Sequence, residues 1–148
     1  MDNRKAELIE TLLPKDTNGY GNIFGGVIMS IMDKTAGVAC WRYSRKRVVT
    51  KCAQEICFHT PVNMGEVVYS RATIVHVGRS SMEVEVEVEA ENVMDGTIRR
   101  AASGIFTMVA LDENWHPTQV PEWQPVTEAE IEKWRAAELR RKRRSHEQ

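Results

Sequence analysis

The stretch GVIMSIMDKTAGVACWRY, residues 26 to 43, decides the fold. It is apolar almost all round, which suits a helix buried on most of its sides. Its length favours a helix over a strand, and its Met, Ile and Ala content is compatible with one. Gly25 and Gly26 mark the start, and the SRKR run at residues 44 to 47 supplies a basic exit that complements the helix dipole.

Outward from this helix the chain reads as strands. VVTKCAQEICF is β-branched and aromatic, and it ends near Pro61 and the Asn63 to Gly65 turn. EVVYSRATIVHV follows and stops at Gly78. In MEVEVEVEAE, residues 82 to 91, Met82, Val84, Val86, Val88 and Ala90 share one face and the five glutamates share the other. Such alternation marks a half-buried antiparallel strand, and the Glu row reads as a solvated face. Asp95-Gly96 reads as a turn, after which RRAASGIFTMVAL returns and brings Arg99 and Arg100 near the glutamates. Three prolines between Trp115 and Pro125 mark a linker. Thr127 to Glu130 is a T-x-x-E capping box opening a helix that runs from acidic to basic. Its RKRR run reads as a solvated helix end. The expected architecture is α+β, a long central helix wrapped by an antiparallel β-sheet, with residues 1–125 as the domain and 126–148 as a charged helical tail.

Composition narrows the function. The chain has 148 residues, with 20 Lys and Arg against 21 Asp and Glu and a pI near 6.4. A net charge of −1 gives no general field for nucleic acid. Three cysteines without a C-x-x-C pair argue against a disulfide scaffold or a zinc knuckle. Cys52 and Cys57 are expected on opposite faces of one strand, and Cys40 is expected as a small core residue. The beginning, MDNRKAELIE, has no apolar signal core, and AASGIFTMVAL is too short to span a bilayer. A cytoplasmic protein without membrane contact is expected. Four scattered histidines, His59, His76, His116 and His146, show no ligand spacing, so no metal site is indicated.

Asp33 is the anomaly. A carboxylate among Ile31, Met32, Ala36 and Val38 lies either on a solvent stripe with Lys34 or at a site. Two glycines opening the helix leave its first amides accessible, and that end attracts developing negative charge. Such donors suit an oxyanion hole for acyl transfer. At 1.5 Å per residue, Asp33 lies about 10 Å from the start of its own helix. If both act in one reaction, the carboxylate must face the helix start of a second copy.

These residues resemble the hotdog-fold acyl-CoA thioesterases of the bacterial cytosolic type, related to brain acyl-CoA hydrolase. DTNGYGNIFGGVIMSIMDKTAG, VVTKCAQEICFHTPVNMGEVV, VGRSSMEVEVEVEAEN and FTMVALDENWHP carry the resemblance, in the family's order across residues 16 to 117. It implies an acyl-CoA hydrolase that releases free CoA and a fatty acid and needs no cofactor besides its substrate. It also implies a dimer as the minimal unit, often assembled into hexamers. Asp33 matches the family's helix carboxylate, nucleophile or base. Asn22 matches the polar residue before the glycines, and Gly25 and Gly26 match those whose amides polarise the carbonyl. Arg79, Ser80 and Ser81 match, more loosely, the segment beside coenzyme A. Arg47 and Lys46 are further candidate contacts for its phosphates. Two alternatives have weaker support. A dehydratase or hydratase would carry a His in residues 16 to 47, where there is none, and an acyl-CoA-binding regulator could dispense with Asp33.

Overall fold

The computed structural model describes residues 2–147, with the side chain of Glu147 left aside. Five strands, β1 (Lys5–Thr11), β2 (Arg47–Phe58), β3 (Val67–Val77), β4 (Ser81–Asn92) and β5 (Thr97–Leu111), form one sheet. Their order is β1-β3-β4-β5-β2, and every neighbouring pair is antiparallel. Helix α1 (Gly25–Ser44) packs on one face of the sheet, and helix α2 (Glu128–Glu147) lies against the other. This is the hotdog fold.

The alternation in β4 explains the core. Met82, Val84, Val86, Val88 and Ala90 are fully buried, as are Met32, Ala36, Ala39 and Cys40 of α1 opposite them. Burial pushes the Cys40 thiol up to about 12, so it stays an inert core group. Thr35 is tied down by its hydroxyl, which donates to the Ile31 carbonyl at 2.6 Å and accepts from the Ser70 hydroxyl at 2.7 Å. The sheet comes close to the helix at Gly104, where a Cβ would run into Ile56 Cδ1 and stand 3.0 Å from Met32 Cε.

Four features depart from the sequence expectation. Strand β1 was not anticipated, because KAELIET is half charged and pairs only through β3 at the sheet edge. Cys52 and Cys57 share a face, since they stand opposite Thr107 and Ser103 of β5, four residues apart. The cause is a bulge between Gln54 and Cys57, where Glu55 takes φ 53°. The Glu row is not uniformly solvated. Glu83 is 2% exposed, held by Arg140 at 2.8 Å and 3.1 Å with Arg144 at 3.6 Å. Glu85 pairs with Lys133, while Glu87 and Glu89 pair with Arg100 and Arg71. The helix that carries the basic run is therefore docked on the sheet, with Arg140 and Arg144 on Glu83 and Lys133 on Glu85 of β4. Its capping box is formed, with Thr127 N donating to Glu130 Oε1 at 3.0 Å and Glu130 N to Thr127 Oγ1 at 3.1 Å.

Candidate active site

The loop before α1 is built as a tight reversal. Thr17 bridges Ile23, Asn18 N donates to the Asn22 carbonyl at 2.8 Å, and Phe24 N to the Asp16 carbonyl at 3.0 Å. Asn18 Oδ1 accepts from Tyr20 N at 2.9 Å, an Asx turn of the kind Asn-Gly sequences favour. The loop rests on the segment after β2, through Ile23 N to the Val62 carbonyl at 2.8 Å and an Asn22–Asn63 bridge. That segment is pinned in turn. Arg99 donates to both oxygens of buried Glu66, at 2.5 Å and 2.6 Å, and to the Pro61 carbonyl at 2.5 Å. The Arg99 guanidinium, with the Asn63 amide, holds Glu66 below the usual carboxylate range against its burial.

The helix begins without a side-chain cap, since Phe24 at the capping position offers no acceptor. The first amides of a helix have no partner within it, so those of Gly25 and Gly26 remain available to a ligand. The position of a Cβ on Gly26 is open, with nothing within 4 Å. At Gly25 the Phe58 ring stands 3.2 Å from where a Cβ would be.

Asp33 is half-buried, and its Oδ1 accepts a 2.5 Å hydrogen bond from Thr50 Oγ1 on β2. Lys34 beside it is exposed. Because α1 runs antiparallel to β2, its start meets Phe58 and its middle meets Thr50. Asp33 is thus about 12 Å from Gly25 at 1.5 Å per residue. Within one chain the fold brings Asn22, Gly25 and Gly26 together and keeps Asp33 apart from them.

The remaining candidates lie toward the Thr50 end. Ser81 stands opposite Val109, which stands opposite Val49, so the turn carrying Arg79, Ser80 and Ser81 is about 10 Å, two strand spacings, from β2. Arg79 is exposed, and its carbonyl accepts from Val120 N. Arg47 donates to the Glu113 carbonyl at 3.2 Å and lies 4.7 Å from the Trp115 ring centre. Lys46 is exposed at the helix exit. Among the described residues, no three His, Cys, Asp or Glu side chains are grouped to hold a metal ion. No helix among the described residues is long and apolar enough to cross a membrane. Sequence reasoning missed Thr50, which looks like any β-branched strand residue until the register sets it beside Asp33.

A long helix wrapped by one antiparallel sheet, with an uncapped helix start, defines this as a hotdog protein. Residues 20–97 match the thioesterase superfamily, and the chain belongs to that family. A Zymomonas mobilis protein named as an uncharacterized acyl-CoA thioester hydrolase is 40% identical, over 80% of this chain and 78% of its own. The crystal structure of an acyl-CoA hydrolase from Bacillus cereus superposes with a TM-score of 0.90 at 35% identity, covering 98% of this chain and 88% of that one. An acyl-CoA hydrolase from Staphylococcus aureus, solved in complex with butyryl coenzyme A and coenzyme A, gives 0.86 at 29% identity, covering 98% and 88%. That hydrolase has also been solved with alanine replacing an aspartate, a threonine and an asparagine. The asparagine stands fifteen positions before the aspartate and the threonine seventeen after it. A hexameric thioesterase from Yersinia pestis gives 0.75 at 35% identity, covering 78% of this chain and 94% of that one.

Proposed function

We propose that this chain is an acyl-CoA hydrolase that cleaves fatty acyl-CoA to free coenzyme A and a carboxylic acid. The observation that carries the proposal is the pairing, on one helix, of uncapped amides at Gly25 and Gly26 with an Asp33 carboxylate oriented by Thr50. The amides receive the thioester oxygen as it gains negative charge. Asp33 then supplies the second element, by either of two routes. As a nucleophile, one carboxylate oxygen bonds the acyl carbon, the C–S bond breaks, and water hydrolyses the resulting anhydride. As a base, Asp33 takes a proton from the water that attacks. The departing thiol has a pKa near that of Cys, about 8.5, so its thiolate leaves without a strong acid. Atoms balance with water as the sole co-reactant, and no cofactor is invoked beyond the substrate's own coenzyme A.

Spacing adds a residue. The separations of the three altered positions in the Staphylococcus aureus hydrolase select Asn18, Asp33 and Thr50 here. We assign Asn18, beside Asn22 in the loop before the glycines, to positioning water or substrate, and Thr50 to orienting Asp33. Arg79, Ser80, Ser81, Arg47 and Lys46 are assigned to the coenzyme A side.

The same geometry calls for two copies. Asp33 cannot reach a carbonyl at its own helix start, and β2 is a twelve-residue edge strand with exposed Val49 and Phe58. An unpaired edge of that length is a template for another strand. A dimer with two shared sites is the minimal unit, and a trimer of dimers gives a hexamer like that of the Yersinia pestis relative. Three free cysteines fit a reducing cytoplasm. The test is thiol release from acyl-CoA by the wild type and Asp33→Asn. Loss of turnover with retained acyl-CoA binding supports the assignment. A wild type that binds acyl-CoA and hydrolyses none would instead be a binding regulator.

A further inference from the structure

The start of α1 lies between two depressions, one of mixed lining and one mostly apolar. On the Gly26 side, a space of 420 Å³ is of mixed lining, with Glu10, Lys15, Asp16 and Lys34 beside Leu12, Leu13, Val27 and Ile31. On the Gly25 side, a cavity of 310 Å³ is mostly apolar, walled by Ile23, Ile28, Phe58 and Val62 with His59 and Thr60 as its polar members. A thioester carbonyl is planar, so its two substituents leave in different directions from an oxygen held at the Gly25 and Gly26 amides. An alkyl chain gains about fourfold in binding for each methylene taken out of water, a gain that is fuller against the mostly apolar Gly25-side walls than beside the charges of the Gly26-side rim. The amide-bearing arm of coenzyme A, conversely, loses hydrogen bonds in an apolar cavity.

We propose that the acyl chain enters the Gly25-side cavity and that Phe58 sets the length of straight chain it accepts, an inference that rests on the hydrolase reading above. Phe58 is the last residue of β2, paired with Ala102, and it is 52% exposed. Three atoms of its ring stand 3.2 to 3.5 Å from the Cβ position of Gly25. The ring therefore closes the cavity directly beside the amide that polarises the carbonyl. Glycine at position 25 leaves room for it, so the wall and the oxyanion donor are fitted to each other. The cavity is at the small end of the usual range of ligand pockets, about 300 to 1,000 Å³. The substrate class is accordingly a short- to medium-chain straight acyl-CoA.

The test is thiol release across even-numbered acyl-CoAs from acetyl to palmitoyl, comparing the wild type with Phe58→Ala, Phe58→Leu and Phe58→Trp. The expected result is a rise in kcat/KM for long over short chains, about fourfold for each additional methylene lodged. The shift should be larger in Phe58→Ala than in Phe58→Leu, and Phe58→Trp should move it toward shorter chains. If Phe58→Ala fails to fold, the Leu and Trp variants carry the comparison, since both keep an apolar side chain there. Folded variants that hydrolyse acyl-CoA with the wild-type chain-length profile overturn this inference and leave the hydrolase reading intact. A wild type inactive on every acyl-CoA overturns both.

Discussion

At Asp33 one hydrogen bond distinguishes the two carboxylate oxygens. Thr50 Oγ1 donates to Oδ1, so in the proposed mechanism Oδ2 is the oxygen that attacks or takes the proton. Asp33→Asn removes the charge and the basicity together and should lower kcat about a thousandfold, within the range for losing a positioned base. Thr50→Ala leaves the charge but frees its orientation. It should lower kcat about tenfold with little change in KM, as for one hydrogen bond to a charged group. Steady-state thiol release measures both, and a Thr50→Ala enzyme impaired only in KM would contradict the orienting role. Asp33 stood out in the sequence as a carboxylate in an apolar helix, but the pattern alone left it between a solvent stripe with Lys34 and a site. Its partner did not stand out, because nothing in VVTKCAQEICF distinguishes Thr50 from the other strand residues. Asn18 was equally hidden, for an Asn before a Gly satisfies ordinary turn chemistry.

The docking of α2 is the feature at the scale of elements with most consequence for stability. Arg140 pairs with Glu83, a carboxylate 2% exposed. Removing one partner of such a pair leaves a buried charge, so Arg140→Met should cost about 3 kcal/mol, measured by urea unfolding. A loss under 1 kcal/mol would mean that Arg144 alone suffices. Below the same helix, His76 is 2% exposed, its ring centre is 4.1 Å from that of Trp134, and its Nε2 is 2.7 Å from Glu138 Oε1. Arg141 Nη1 stands 3.3 Å from its Nδ1. Burial pushes His76 down, the Glu138 carboxylate opposes the shift, and the Arg141 charge adds to it. The folded protein thus holds a neutral imidazole that the unfolded chain protonates below about 6.5. The stability this group contributes is full above that pH and is lost as pH falls toward the lower folded value. Urea unfolding at pH 7.5 and 5.5 should show a smaller pH difference in His76→Gln than in the wild type, and equal differences would refute it. The alternation in MEVEVEVEAE announced β4 plainly, and T-x-x-E announced the start of α2. What covers the Glu row was illegible, because a row of glutamates has the same pattern whether it faces water or arginine.

At the scale of the whole molecule, the helix start and Asp33 belong to one chain but stand too far apart to act on one carbonyl. The rise of an α-helix fixes their separation at about 12 Å, and no side-chain rotation removes it. This much followed from the sequence alone. Which edge would receive a second copy did not, because strand order is a tertiary property; the sheet order leaves β2, the strand that carries Thr50, unpaired. The most direct measurement is subunit mixing. Asp33→Asn removes the carboxylate, and Gly26→Pro removes a helix-start amide at a position where a Cβ meets nothing and proline is tolerated. Each variant alone should be nearly inactive. When the two are unfolded together and reassembled, half of the dimers are mixed, and each mixed dimer has one site with both elements intact. Thiol release should then return to about a quarter of the wild-type rate. No recovery, with mixed assembly verified by mass, would contradict the shared site.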